Sequence, residues 1–237
     1  MVYSSFFKLL FLSGSRILAE ALAKRGREEI AKLSDISVYH LHVEGADPLE
    51  QNDVSPQPFT SRNFFVGKHS RKAVDEGRST YIPCFLSDIP RLIRHGQPKL
   101  DWAFLNVSPP DKQGFCSLGT EVCAALPAAE CATKIIAQIN PNVPRTHGHS
   151  FIHINAFDYV VDVKGHPLSE IPEAPVVAPG EVEMAIGRCI AELIPDGACL
   201  QVGIGGIPNA VLACLKDHRH LGIQCVCREL KMILNVY

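Results

Sequence analysis

The sequence predicts an α/β fold, a mostly parallel sheet flanked by helices, followed by the start of a second unit of similar kind. Three observations carry this. Short apolar, β-branched runs alternate with segments of helical period along the first 163 residues, the pattern of a parallel sheet with crossover helices. The stretch GHPLSEIPEAPVVAPGE at 165–181, with four prolines and no helical period, interrupts the alternation and reads as a connection. The pattern then restarts with a helix, a strand and the glycine-rich turn of QVGIGGIPNAV at 201–211. Residues 1–172 are therefore expected to form one domain, and 173–237 a connection plus the incomplete start of another.

In chain order, FKLLFL (7–12) reads as a buried strand ended by SGS, and residues 16–28 as a helix with Ile17, Leu18, Ala21 and Leu22 on one face. ISVYHLHV (36–43) is the next strand, and 44–60, polar with prolines, is a loop. GKHSRKAVDEGR reads as a helix ending near Gly77, and TYIPCFL as a strand weakened by Pro83. LSDIPRLIRHG is a short helix with Asp88 as candidate N-cap and Gly96 as the residue after the last turn. DWAFLNV (101–107), KIIAQI and FDYVVDV (157–163) are strands. Between them lie the turn-dense SPPDKQGFCSLG and a helix over 120–133 that Pro127 threatens to break. After the proline-rich stretch, VEMAIGRCIAELI spaces Val182, Ala185, Ile186, Cys189, Ile190 and Leu193 along one helical face. ACLQV is a strand, and NAVLACLKDH the helix after the glycine turn.

Composition narrows the class. Of 237 residues, 46% are hydrophobic and 20% charged, and 23 basic against 25 acidic residues give a net charge of −2. No basic stripe pairs with aromatics, so nucleic acid is not the expected partner. The nine cysteines are irregularly spaced, contain no C-x-x-C and include one C-x-C at Cys225 and Cys227. They point to a reducing, intracellular compartment. The opening MVYSSFFKLLFLSGSR is interrupted by Lys8 and too short to span a membrane. It reads as a first strand. The absence of acids before Glu20 also suits a mitochondrial presequence. A mitochondrial location is expected for a eukaryotic source, a cytoplasmic one otherwise.

A strand entering a glycine turn and then a helix presents backbone N–H groups at the helix start, which suits an anion or oxyanion. Gly203 and Gly205 match a dinucleotide fingerprint but Pro208 stands where its third glycine belongs, and no G-K-[ST] follows. Pro208 suits the first helical position. From spacing alone, a nest for a thioester oxyanion, a nest for a piece of a larger cofactor and a turn with no ligand all remain open.

LQVGIGGIPNAVLACLKDH resembles the start of the second domain of the acetyl-CoA hydrolase/transferase family, class I CoA-transferases. RNFFVGKHSRKAV, YIPCFLSDIP, VSPPDKQGFCSLG and IAQINPNVPRTHGHSFIH agree in order, so the resemblance runs from about residue 16 to Ile223. It implies that Gly203, Ile204, Gly205, Gly206 and Ile207 bind CoA and hold the thioester oxygen. It implies no metal and no permanently bound cofactor, with coenzyme A entering as substrate. The partners it implies are acyl-CoA and short carboxylic acids, and full-length members are expected to be homo-oligomers.

The implied reaction moves CoA between a short acyl-CoA and acetate or a related acid. A glutamate carboxylate attacks the thioester to give an anhydride. The released CoA then forms a glutamyl thioester, which the second acid discharges. The resemblance puts that glutamate shortly after HLGI (220–223), where register gives Val226; Glu229, three residues on, falls on the opposite face of a strand. The tail after Ile223 departs from the family, as does FLSGS from its histidine-glycine loop. The chain as written is thus expected to be a truncated form without transferase activity. Acetyl-CoA hydrolysis, and a non-catalytic chain that binds CoA or pairs with a full-length subunit, are the alternatives.

Other candidates are bland by comparison. His147, His149 and His153 have spacing that could seat zinc, but local hydrogen bonding explains them as well. Arg145 and His147 are candidates for the cleft. Ser108, Asp111, Cys116 and Ser117 lack the elbow context of a nucleophile. RNFFVGKHSRK is basic enough to steer an anion but reads equally as a solvated helix start.

Overall fold

The computed structural model describes residues 8–11, 15–29, 33–41, 47–51, 53–67, 70–170, 178–203 and 205–225. Its contacts divide the chain into two compact units, Met1–Ile171 and Pro172–Tyr237.

The first unit contains β1 (Lys8–Phe11), α1 (Arg16–Glu28), β2 (Ile36–His40), β3 (Phe59–Asn63), α2 (Arg71–Asp75), β4 (Ser79–Tyr81), α3 (Ile89–Arg94), β5 (Trp102–Val107), β6 (Phe115–Ser117), α4 (Val122–Cys131), β7 (Lys134–Ile139), β8 (Phe151–His153) and β9 (Tyr159–Asp162). Seven strands form one sheet in the order β4-β3-β2-β1-β5-β7-β9. All its neighbours pair in parallel. The chain builds outward from β1 through β4, then returns to β5 beside β1. The order reverses there, and in open α/β sheets the crevice for ligands lies outside the carboxyl ends of the strands at that point.

Helices cover both faces of the sheet, so the central strands are buried on both sides and read as continuous apolar runs. On one face α1 packs Leu18, Ala19 and Ala23 against Leu9, Val38, Phe59 and Phe104. On the other, Ile89, Ile93, Ala124, Ala125 and Ala128 of α3 and α4 cover Leu10, Tyr39, Leu105, Ile135 and Ala137. Burying a leucine such as Leu10 or Leu105, both 0% exposed, contributes about 1.5–3 kcal/mol. The face of α1 is rotated from the expected one: Ala21 is exposed, while Ala23 and Gly26 are buried. Gly26 explains the rotation. A Cβ there would lie 2.5 Å from the Phe59 ring, so the helix approaches β3 through its small residues.

Four expectations need correction. Residues 44–60 are not all loop: a 3-10 turn spans Pro48–Glu50, and β3 begins at Phe59. FTSRN has no apolar alternation, so its place in the sheet is held by polar pairs. Asn63 Nδ2 and Ser79 Oγ donate to Glu50 Oε1 at 2.9 and 2.8 Å, and Glu50 is itself 5% exposed. The helix expected in GKHSRKAVDEGR is only Arg71–Asp75. The loop SPPDKQGFCSLG contains β6, paired antiparallel with β8. Asp88 precedes α3 but makes no side-chain cap bond; it pairs instead with Arg91 at 3.1 Å. Pro127, by contrast, sits inside α4 without ending it. Gly77 and Gly96 both have φ of +71° where their helices stop.

The second unit contains α5 (Glu181–Ala191), β10 (Cys199–Val202), α6 (Gly206–Cys214) and β11 (Gly222–Cys225). β10 and β11 pair in parallel, Cys199 opposite Gly222 and Val202 opposite Cys225, with α6 as crossover. A β-α-β unit is therefore present where the sequence suggested only its first strand and helix. α5 and α6 pack closely: a Cβ on Gly187 would lie 2.8 Å from the backbone carbon of Ala210. The apolar face expected on α5 is not the buried one. Val182 and Leu193 are 74% and 81% exposed, and Ile186 and Ile190 are also exposed, because the helix turns Gly187 and Ala191 inward. A small core of Ala191, Val211 and Leu215 lies beneath, joined by Ile194, Leu200, Leu212, Cys214 and Leu221.

Candidate functional site

The glycine turn joins the carboxyl end of β10 to the amino end of α6. Gly205 precedes the helix with φ +141°, ψ 178°, a conformation that side-chain-bearing residues avoid. Gly206 and Ile207 open α6, and their N–H groups belong to the first turn, which has no intrahelical acceptors. Pro208 is the third helical residue rather than the first; it still removes no bond, since the first-turn N–H it lacks would have had no partner. Among the described residues nothing would lie within 4 Å of a Cβ on Gly203, so a ligand atom can approach the backbone there. Ile207 is 41% exposed. Ile204, Val226 and Glu229 lie outside the described residues.

One group beside this turn escaped the sequence reading. Glu183, in the first turn of α5, accepts from Gly180 N–H through Oε2 at 2.6 Å. Its Oε1 lies 2.1 Å from where a Cβ on Gly206 would sit. The only signal for it was a glutamate three residues into a helix behind a Pro-Gly start, the position that turns back to cap the helix.

In the first unit, the loops after β5 and β7 interlock at the carboxyl end of the sheet. Ser117 Oγ, fully buried, accepts from Gly119 N–H at 3.1 Å and Thr146 N–H at 3.0 Å. Thr146 Oγ1 donates to Gly119 O at 2.8 Å, and Leu118 N–H to Ser150 O at 2.7 Å. Gly119 has φ +60°, and a Cβ there would meet Val143 Cγ1 at 2.3 Å. Arg145 serves this frame: it donates to Phe115 O at 3.0 Å and Asp111 Oδ2 at 2.5 Å. Its guanidinium lies 4.7 Å from the centre of the Phe151 ring. The Asp111 carboxyl is held below the ordinary aspartate range by the Phe115 N–H, then by the Gln113 N–H and Arg145. His147 is exposed and meets Phe151 edge-on at 5.9 Å.

The histidines do not converge. His149 is exposed. His153 Nδ1 accepts from Asn155 N–H at 3.2 Å, which puts the ring proton on Nε2, 3.0 Å from Gln113 O. Among the described residues no three His, Cys, Asp or Glu side chains gather as a metal ion would require. Cys116 is fully buried, and burial pushes its thiol up, the opposite of an activated nucleophile. Ser108 Oγ accepts from Ser117 N–H at 2.9 Å and has a structural partner rather than a base.

A doubly wound parallel sheet, followed by a strand–glycine turn–helix–strand unit, defines an α/β protein of the CoA-transferase architecture. The family model described as the acetyl-CoA hydrolase/transferase N-terminal domain matches residues 10–172, and the chain belongs to that family. It is 42% identical over 217 residues to a succinyl-CoA:acetate/propanoyl-CoA:succinate CoA transferase of Fasciola hepatica, covering 90% of this chain and 44% of the relative. It is 47% identical over 165 residues to a 4-hydroxybutyrate coenzyme A transferase of Clostridium kluyveri, covering 70% and 38%. Among solved structures, RipA from Yersinia pestis superposes with TM-score 0.79 at 29% identity, over 93% of this chain and 51% of RipA. The chain spans less than half the length of these two curated relatives and about half of that structure.

Proposed function

We propose that this chain carries the acyl-CoA-binding part of a CoA-transferase: its first unit is the N-terminal domain, and its second unit opens the second domain. Gly203, Ile204, Gly205, Gly206 and Ile207 take the CoA thioester, with the first-turn N–H groups of α6 directed at the carbonyl oxygen. The observation that carries this is the glycine turn at the head of α6, with an open approach at Gly203 and a backbone at Gly205 that only glycine adopts readily, in a chain of this family. The reaction that this binding part serves in a full-length transferase exchanges short carboxylates of the kind named for the relatives: acetate, propanoate, succinate or 4-hydroxybutyrate.

Transfer needs a carboxylate to hold the acyl group and then the CoA. Register puts Val226 at that position, and an isopropyl group forms neither anhydride nor thioester. The reading therefore separates binding from chemistry. Calorimetric titration of acetyl-CoA into the purified chain should show saturable binding, and Gly205→Ala should weaken it about tenfold, the order of one lost oxyanion donor or less. Label should not pass from acetyl-CoA into propionyl-CoA. No binding would sink the proposal, and label exchange would sink the assignment of Val226. Release of free CoA thiol without an acceptor acid would favour hydrolysis instead.

A further inference from the structure

We infer that the buried polar cluster under the outer edge of the first sheet is a binding site for one internal water molecule, held between Glu50 Oε2 and Ser61 Oγ. The inference concerns the first unit and is independent of the reading of the glycine turn.

The cluster lies where β3 and β4 pair. Phe59, Ser61 and Asn63 alternate onto the buried face of β3, and Ser61 stands directly opposite Ser79 of β4. The 3-10 turn Pro48–Glu50 packs against β3 and brings the Glu50 carboxylate onto that face. There Oε1 accepts from Asn63 Nδ2 at 2.9 Å and from Ser79 Oγ at 2.8 Å. Asn63 and Ser79 are the two residues that flank Ser61, one along the strand and one across the ladder. Anchoring on both puts the second carboxylate oxygen near the Ser61 hydroxyl but out of direct bonding reach. Glu50, Ser61, Asn63 and Ser79 are all buried. Among the described residues, Glu50 Oε2 and Ser61 Oγ have no hydrogen-bond partner. Two serines opposite each other, in place of the larger β-branched residues usual in a sheet, leave room beneath the carboxylate.

A buried polar atom without a partner carries the whole cost of its desolvation. Native proteins meet such atoms with a protein group or an ordered water. Water fits the chemistry of these two. A carboxylate oxygen only accepts, and a serine hydroxyl both donates and accepts. One water donates to Glu50 Oε2 while its oxygen accepts the Ser61 hydroxyl proton. A hard cation fits less well. It takes about six or more oxygens, and among the described residues no three His, Cys, Asp or Glu side chains gather. A buried water is satisfied by about two to four partners. The water carries the Glu50 network on from Asn63 and Ser79 to Ser61. Polar bonds then tie the turn to the sheet edge along a strand, FTSRN, that has no apolar alternation of its own.

Oxygen-17 magnetic relaxation dispersion of the full chain counts the waters held longer than the tumbling time, and exchanging hydroxyl protons do not contribute to it. Ser61→Val should lower that count by one, because it removes the hydroxyl and puts methyl groups in the site. Thr60→Val makes the same kind of change on the other face of β3, where Thr60 Oγ1 bonds Pro56 O at 3.3 Å, and should leave the count unchanged. Equal counts in the wild type and Ser61→Val overturn the inference, as does an equal loss in Thr60→Val. If Ser61→Val does not fold, a crystal structure of the wild-type chain decides. An ordered oxygen about 2.5–3.0 Å from both Glu50 Oε2 and Ser61 Oγ is expected. Either atom bonded to a protein group instead, or a peak ligated at the shorter distances of a metal ion, overturns the assignment.

Discussion

Asp111 accepts hydrogen bonds from Phe115 N–H at 2.8 Å and Gln113 N–H at 3.0 Å, besides its pair with Arg145. Each of these bonds is stronger to the ionised carboxylate than to the neutral acid, and so its pKa is lowered. The sign follows: the contribution is whole above the unfolded aspartate value of about 3.9, and is lost as pH falls through the lower folded value. Carboxyl NMR titration should place Asp111 below that ordinary value, and Arg145→Ala should raise it; an unshifted Asp111 in the wild type would contradict the geometry. Gly119 is the stricter test of the same loop. Its positive φ costs a side-chain-bearing residue about 1–2 kcal/mol, and a Cβ would press into Val143. Gly119→Ala should therefore lower stability by about 2–4 kcal/mol in denaturant melts, the strain and the overpacking adding. Neither residue stands out in the sequence for this role, because the spacing of 34 residues between Asp111 and Arg145 carries no local signal.

At the scale of elements, close approach through small residues recurs. Gly26 brings α1 onto Phe59, and Gly187 brings α5 onto Ala210. Gly187→Ala puts a methyl group against backbone rather than a movable side chain. It should cost about 1–3 kcal/mol, read as a lower midpoint in thermal unfolding; an unchanged midpoint would mean that α5 shifts freely on α6. Periodicity located α1, β5 and β7 to within a residue because each carries its own hydrophobic pattern. It missed β3, whose FTSRN is held by Glu50 from a different segment. It also misjudged which face of α5 is buried. Apolar spacing says that a helix has a face; it does not say what lies opposite, and a glycine–alanine contact can outcompete an aliphatic stripe for closeness.

At the scale of the whole molecule, the two units carry unequal shares of the proposed function. The first has two covered sheet faces and a locked loop frame at its carboxyl end. Among the described residues, the second has a two-stranded sheet, a small core and an exposed apolar stripe of Val182, Ile186, Ile190 and Leu193. Calorimetry should show the second unit melting at lower temperature than the first, because, among the described residues, a core of three buried residues and five partners excludes far less apolar surface from water than the two clusters of the first. A single transition with every probe would show that the units unfold as one. Bound acetyl-CoA should raise the lower transition selectively, by mass action on the state that binds. Among the described residues no helix is long and apolar enough to cross a membrane.

By itself the sequence determined the order of strands and helices, the glycine turn and the family resemblance. These are local properties: the period of apolar residues, the backbone freedom of glycine and the identity of short motifs. It also determined that valine stands at position 226. Only the tertiary structure decided that Arg145 pins a loop frame, that polar β3 lies inside the sheet, and that Glu183 sits against Gly206 at the amino end of α6. Each of these joins groups from separate elements. Their energies arise only when folding brings charges and donors within a few ångströms, a distance that no residue spacing encodes.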